Sequence, residues 1–170
     1  PLVIAAQSTG GPAATAWTVD PVHSAVTFRA RHLGISWVRG EFTEWTAALN
    51  YDPQAPTGAS VAVTIKAASV DTRTARRDDD VRQNYFEVES FPEIRFVSTG
   101  VAPAAEGALK LTGDLTIKGV TRSVVLDVEV GGVLATPRGR RVAFSASTSI
   151  RRQDFGIPRN MLLEGAQVVG

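Results

Sequence analysis

Apolar and polar residues alternate with period two along seven stretches of this chain, and the apolar half of each stretch is bulky. The clearest runs are Val26, Phe28, Ala30; Val61, Val63, Ile65; Leu109, Leu111, Gly113, Leu115, Ile117; Val124, Leu126, Val128, Val130; and Val142, Phe144, Ala146, Thr148, Ile150. Successive side chains of a strand point to opposite faces, so each run reads as a strand with one apolar and one polar face. Strands are expected near 17–31, 37–51, 60–70, 93–101, 107–118, 121–131 and 141–151, separated by turn chemistry at Asp52-Pro53, Pro103 with Gly107, Lys118-Gly119, Gly131-Gly132 and Pro137 with Gly139. The connections are mostly too short for anything but antiparallel neighbours. One stretch differs: Arg73 to Glu89 predicts a short helical excursion near 74–86, with Thr72 or Thr74 as its cap.

An antiparallel meander must deal with its edges, and closure into a barrel does so directly. The expected fold is therefore all-β, an antiparallel lipocalin-like β-barrel of about eight strands. Thr27, Arg29, Arg31, Thr64, Lys66, Lys110, Thr112, Asp114, Thr116 and Lys118 occupy the polar face and belong outside. The inward lining is then Val26, Phe28, Ala30, Phe42, Ile65, Ile94, Phe96, Leu115, Ile117, Leu126, Val128, Phe144 and Ala146. A barrel of this size has room for filling side chains or for one small ligand. The small inward residues Ala30, Gly40, Ala67, Gly113 and Ala146 fit either a packing taper or a tube, and periodicity leaves both open.

At 170 residues the chain suits one domain. Its 18 basic and 17 acidic residues are interspersed, so no single-sign field favours nucleic acid as a partner. The absence of cysteine removes disulfide and thiol chemistry. No apolar run reaches the roughly 18 residues of a transmembrane helix. Residues 1–16, rich in Gly, Ala, Ser, Thr and Pro after the apolar patch Leu2 to Ala6, read as a flexible leader. Ala14, Thr15 and Ala16 fit the small-x-small pattern of an export cleavage site, so the leader is either a remnant of an export signal or a plain extension. A metal site needs three or four ligands, and two histidines, His23 and His32, without cysteine do not supply a recognisable set. No cofactor is expected and no catalytic constellation emerges.

Several segments together carry a resemblance. They are Trp17-Thr-Val-Asp-Pro-Val-His-Ser24, Arg31-His-Leu-Gly-Ile-Ser-Trp-Val-Arg-Gly-Glu-Phe42, Ala68-Ser-Val-Asp71, Gly113-Asp-Leu-Thr-Ile-Lys-Gly-Val-Thr121 and Asp154-Phe-Gly156. In this order they resemble the YceI-like family of lipid- and polyisoprenoid-binding proteins, from about Trp17 to the C-terminus, so 17–170 reads as one barrel domain. The resemblance implies an apolar tunnel holding a long-chain isoprenoid, a quinone or a fatty amphiphile. It also implies export to the periplasm or beyond, with the cytoplasm as the alternative, and pairing into homodimers.

A headgroup at the mouth needs polar contacts, for which His32, Arg39, Arg76, Arg82 and Asn84 are the candidates. Arg39 leads because Gly40 beside it leaves the backbone approachable. The 76–84 charge run reads equally as a solvated helix face, and Asp80 stands where the family often carries His. Gln167 to Gly170 look like the start of a final strand that family members continue, which predicts an unpaired first-strand edge and a partly open barrel. The functional expectation is non-enzymatic lipid binding, with an enzyme acting on an apolar substrate in the same pocket, or a plain structural barrel, as alternatives.

Overall fold

The alternating runs do form strands. The computed structural model describes residues 1–8, 16–32, 35–137 and 139–157. Its strands are β1 (Leu2–Ser8), β2 (Ala16–Val19), β3 (Ala25–His32), β4 (Ser36–Phe42), β5 (Trp45–Asn50), β6 (Ser60–Lys66), β7 (Val70–Asp71), β8 (Glu93–Pro103), β9 (Leu109–Ile117), β10 (Val120–Thr136) and β11 (Gly139–Ser147). Eight of them close an antiparallel ring in the order β1, β11, β10, β9, β8, β6, β5, β2 and back to β1. β3, β4 and β7 branch off β1 as a flange. The helical excursion is α1 (Ala75–Asp80), running directly into a π-helix over Val81–Phe86.

The first correction concerns the expected leader. Leu2–Ser8 is a strand that pairs with β11 along its whole length, from Leu2 opposite Ala146 to Ser8 opposite Arg140. Its other edge is shared, with Leu2 and Val3 facing β3 and Ala6 and Gln7 facing β2. Ile4, Ala6 and Ser8 are buried while Val3 is exposed, so the segment carries the same alternation as the other strands. Burial of Ile4 against Trp17, Leu49 and Tyr51 supplies the apolar contact that orders it. The expected open edge is therefore filled by β1, and the ring closes. The cleavage-site residues Ala14 and Thr15 and the expected stub Gln167 to Gly170 lie outside the described residues.

Three expected strands are broken. The run 17–31 splits at an Asx turn in which the Asp20 carboxylate accepts from the Val22 amide at 3.1 Å and pairs with His23 Nδ1 at 3.0 Å. The run 37–51 splits at Thr43 and Glu44, where the chain passes from flange to ring. The run 60–70 ends at Lys66 and turns through a short 3-10 segment, Ala67–Ser69, into β7. In the first two the buried parity slips: Trp17 and Val26 face inward at an odd separation, as do Phe42 and Leu49. Gly131-Gly132 is not the hairpin turn either. It is a bulge inside β10, where the register against β11 shifts between Val130 and Val133 and Gly132 adopts φ +90°. The turn itself falls between Thr136 and Gly139, and Ile150 lies past the end of β11.

Ring closure through β1 has a direct consequence. Ile4→Asp is expected to lower the thermal midpoint sharply, whereas Val3→Asp, on the outer face of the same strand, leaves it within a degree or two. Circular dichroism melts of the two variants check this, and equal midpoints would remove β1 from its role as a wall of the barrel.

Candidate functional site

The interior divides into two halves. Near the base of the β3–β4 hairpin, aromatic rings fill the space: Phe28 lies 5.4 Å from Phe42 and Phe42 5.7 Å from Phe86, centroid to centroid. Phe86 belongs to the π-helix, so the helical excursion covers this end. Gly40 does not open the backbone to a ligand, as its sequence position suggested. A Cβ there would stand 2.5 Å from the Phe28 ring and 2.9 Å from the Asp71 carbonyl, so the missing side chain is the space the ring occupies. Gly113 does the same for Phe96, whose ring would be 2.4 Å from an added Cβ.

Past Phe96 the packing loosens. A void of about 60 Å³ sits in the other half, bounded by Leu2 and Ile4 of β1, Leu49, Tyr51, Val61, Phe96, Val101, Leu109, Leu111, Leu126, Val128, Phe144 and Ala146, with Ala59 and Ser60 at its side. The Tyr51 ring meets Phe144 edge-on at 4.9 Å, and Trp17 Nε1 donates to the Tyr51 carbonyl at 2.8 Å. Burial, with Asp52 adding to it, raises the Tyr51 phenol above its ordinary range.

Of the thirteen expected lining residues, Phe96, Leu126, Val128, Phe144 and Ala146 bound the void. Phe42, Ile65, Ile94 and Ile117 are buried in the core without bordering it, and Val26, Phe28 and Leu115 are half-buried against the same core. Ala30 is half-buried on the flange and does not join that cluster. Val61, Leu109 and Leu111 bound it too though the expected lining left them out, and Leu2, Ile4, Leu49, Tyr51 and Val101 were missed as well. For Leu2 and Ile4 the signal was there in their alternation, masked by the small residues around them.

The five polar candidates do not converge. Arg39 is exposed on the outer face of β4, directly opposite Arg29. His32 is exposed at the end of β3, and Arg76 is exposed on α1. Asn84 donates to the Asp80 carboxylate at 2.7 Å. Arg82 is a structural tie: it donates from Nε to the Ala68 carbonyl at 2.8 Å and from Nη2 to the Val70 carbonyl at 2.9 Å, and pairs with Asp79.

Thr74 occupies the expected cap position, yet its side chain makes no capping bond. Thr72 instead donates its amide and hydroxyl to the buried Asp78 carboxylate, at 2.8 and 2.6 Å. An open depression of about 450 Å³ lies beside these groups, lined by Thr43, Glu44, Asp71, Arg73, Asp78 and Arg82 among others. Its buried polar atoms already satisfy one another, so it is a surface hollow, and the apolar void is the candidate site.

Comparison with known proteins agrees with this architecture. The profile of the YceI-like domain matches residues 17–170. A UPF0312 protein of Photorhabdus laumondii is 40% identical over 141 residues, covering 82% of this chain and 73% of that protein. Protein YceI of Salmonella arizonae is 35% identical over 158 residues, covering 91% and 82%. Among solved structures, BcnA of Burkholderia cenocepacia superposes with a TM-score of 0.74 at 28% identity, covering 83% of this chain and 86% of that one. The Campylobacter jejuni YceI protein gives 0.68 at 35% identity, covering 82% and 83%.

Two outcomes follow from the packing. Gly113→Ala is expected to cost about 1–3 kcal/mol, because the Phe96 ring must leave its rotamer, while Gly100→Ala, with open space around it, is neutral. Denaturant unfolding of the pair measures the difference. Burial also raises Tyr85, with Asp80 adding and Arg152 opposing. For both tyrosines the folded value lies above the unfolded value near 10.0. The neutral phenols therefore favour the fold fully below that pH, and this contribution is lost as pH rises through the folded values. Ultraviolet titration should show both ionising later than free tyrosine, with stability falling over the same range.

Proposed function

The chain belongs to the YceI-like family, and from that premise we propose that it is a non-enzymatic carrier holding the tail of a long-chain amphiphile, an isoprenoid lipid or a quinone or fatty chain of similar girth, inside its barrel. One observation carries this reading: a closed ring packed solid with aromatic rings at one end keeps an apolar void at the other. Each buried CH₂ contributes about 0.8 kcal/mol, so one isoprene unit gains roughly 4 kcal/mol before ordering costs. The tail supplies affinity, and any chain of the same width gains as much.

At about 60 Å³ the void is smaller than the roughly 300–1,000 Å³ of sites that bury a drug-sized ligand. Taking up a chain therefore requires side chains to swing aside, and the rings of Tyr51, Phe96 and Phe144 are the largest on the wall. None of the residues lining the void carries a carboxylate, imidazole or ammonium group, which favours holding a tail over transforming it. We extend the reading to a carrier that works in the periplasm or outside the cell, as the family resemblance implies.

Mass spectrometry of an organic extract from protein purified without detergent tests the proposal, and a long-chain amphiphile in stoichiometric amount is the expected result. Ala146→Phe, which fills the void, should lose it. Lys110→Glu, on the outer face beside Asp127, should retain it. A wild-type protein that yields no lipid and takes none up from isoprenoid-loaded vesicles would overturn the reading.

A further inference from the structure

The flange presents a second surface. Among the described residues, β3 and β4 are tied to the rest of the sheet at their bases, by Ala25 and Val26 to β1, by Thr27 donating to the Pro1 carbonyl, and by Glu41 and Phe42 to β7. Beyond that the two strands run on as a hairpin. Direct cross-strand pairs share a face, and the outer face of this hairpin carries the pairs Arg29 with Arg39 and Arg31 with Trp37. All three arginines are exposed. The guanidinium carbons of Arg29 and Arg31 each stand 4.8 Å from the Trp37 ring centroid, so two cations bracket one ring that is itself 49% exposed. At the tip, Ile35 is 78% exposed.

Like charges directly opposite one another destabilise a sheet. Here Arg29 faces Arg39, and the acidic residues on this face, Glu41 and Asp71, sit at its base, where the Asp71 carboxylate accepts from the Arg73 amide at 2.6 Å. Charge is thus graded along the hairpin, with acid at the root and three guanidinium groups toward the tip. An exposed tryptophan has an apolar body and a polar N–H, which suits the boundary between headgroups and acyl chains. Arginine buries its methylenes there and keeps its charge at the phosphates. Ile35 adds a purely apolar group at the leading end.

We propose that this hairpin is a docking surface for an anionic phospholipid bilayer, with Ile35 and Trp37 entering the interface and Arg29, Arg31 and Arg39 engaging phosphates. Charge complementarity and the interleaved apolar groups argue for a bilayer over a free phosphate, which would have no use for the exposed isoleucine. This docking does not depend on what fills the barrel, so the Ala146→Phe protein should dock unchanged while failing to carry lipid.

Flotation with vesicles tests it, using phosphatidylcholine alone and phosphatidylcholine mixed with phosphatidylglycerol. Binding is expected only to the mixed vesicles, weakening as salt is raised. Arg29→Gln and Arg39→Gln should each lower the partition coefficient about fivefold. Lys110→Gln, the same charge change on the β9 wall, should leave it unchanged. Tryptophan emission should shift to the blue on binding, and Trp37→Phe should abolish the shift, since Trp17 is already buried and Trp45 on β5 packs against the core away from the hairpin. These exposed substitutions are expected to melt no lower than the parent. Equal binding to neutral vesicles, or a Lys110→Gln loss as large as the Arg29→Gln loss, would overturn the proposal. So would capture of a single-stranded oligonucleotide by the hairpin while anionic vesicles stay unbound.

Discussion

A sheet that stops short of closure ends in a row of unpaired N–H and C=O groups, and in this chain the seven-residue ladder between β1 and β11 removes that row. β1 meets three partners because β2 and β3 share its second edge. That sharing fixes the rest of the geometry. It brings Ile4 and Ala6 against Trp17 and Val142, and it places Leu2 and Ile4 on the wall of the void. It also frees β3 and β4 from the ring, because β3 pairs with β1 at Val3 and Leu2 and then runs on past that end of the strand, away from the stretch β2 occupies.

Two glycines decide where the interior is solid. Gly40 and Gly113 each lie beneath a phenylalanine ring, and the rings use space that any Cβ would take. Phe28 thereby joins Phe42 and Phe86 in closing one half, while Phe96 marks the boundary beyond which leucines, valines and Tyr51 line a gap. The filled half and the hollow half share one alternating pattern along the strands. What separates them is ring placement, which depends on partners far away in the chain.

That is also the measure of how much could be read in advance. Antiparallel pairing, the inward and outward faces and the helical excursion all followed from period two and turn residues, because those depend on neighbours in sequence. Buried Phe96 and Leu126 and exposed Arg29 and Lys110 were legible in this way. The break at Thr43 was legible only as a slip of parity, a weaker signal than the Asp20-Pro21 dipeptide at the other break. The tie made by Arg82 to the Ala68 and Val70 carbonyls was not legible, since a cation in a charge run looks the same whether it meets water or a carbonyl. Nor was β1 as a wall, because its partner is the last strand of the described chain.

The pairing of β1 with β11, far apart in sequence, also bears on how the molecule is made. Chains emerge from the ribosome at roughly 5–20 residues per second, so Leu2–Ser8 is exposed for many seconds before Gly139–Ser147 exists to receive it. Through that interval the growing sheet has a bare edge and an uncovered apolar face. Closing so long a loop also carries an entropic cost that local hairpins such as β9–β10 avoid. Barrel closure therefore waits on β11, and until β1 and β11 meet both the edge and the apolar face stay open to other chains.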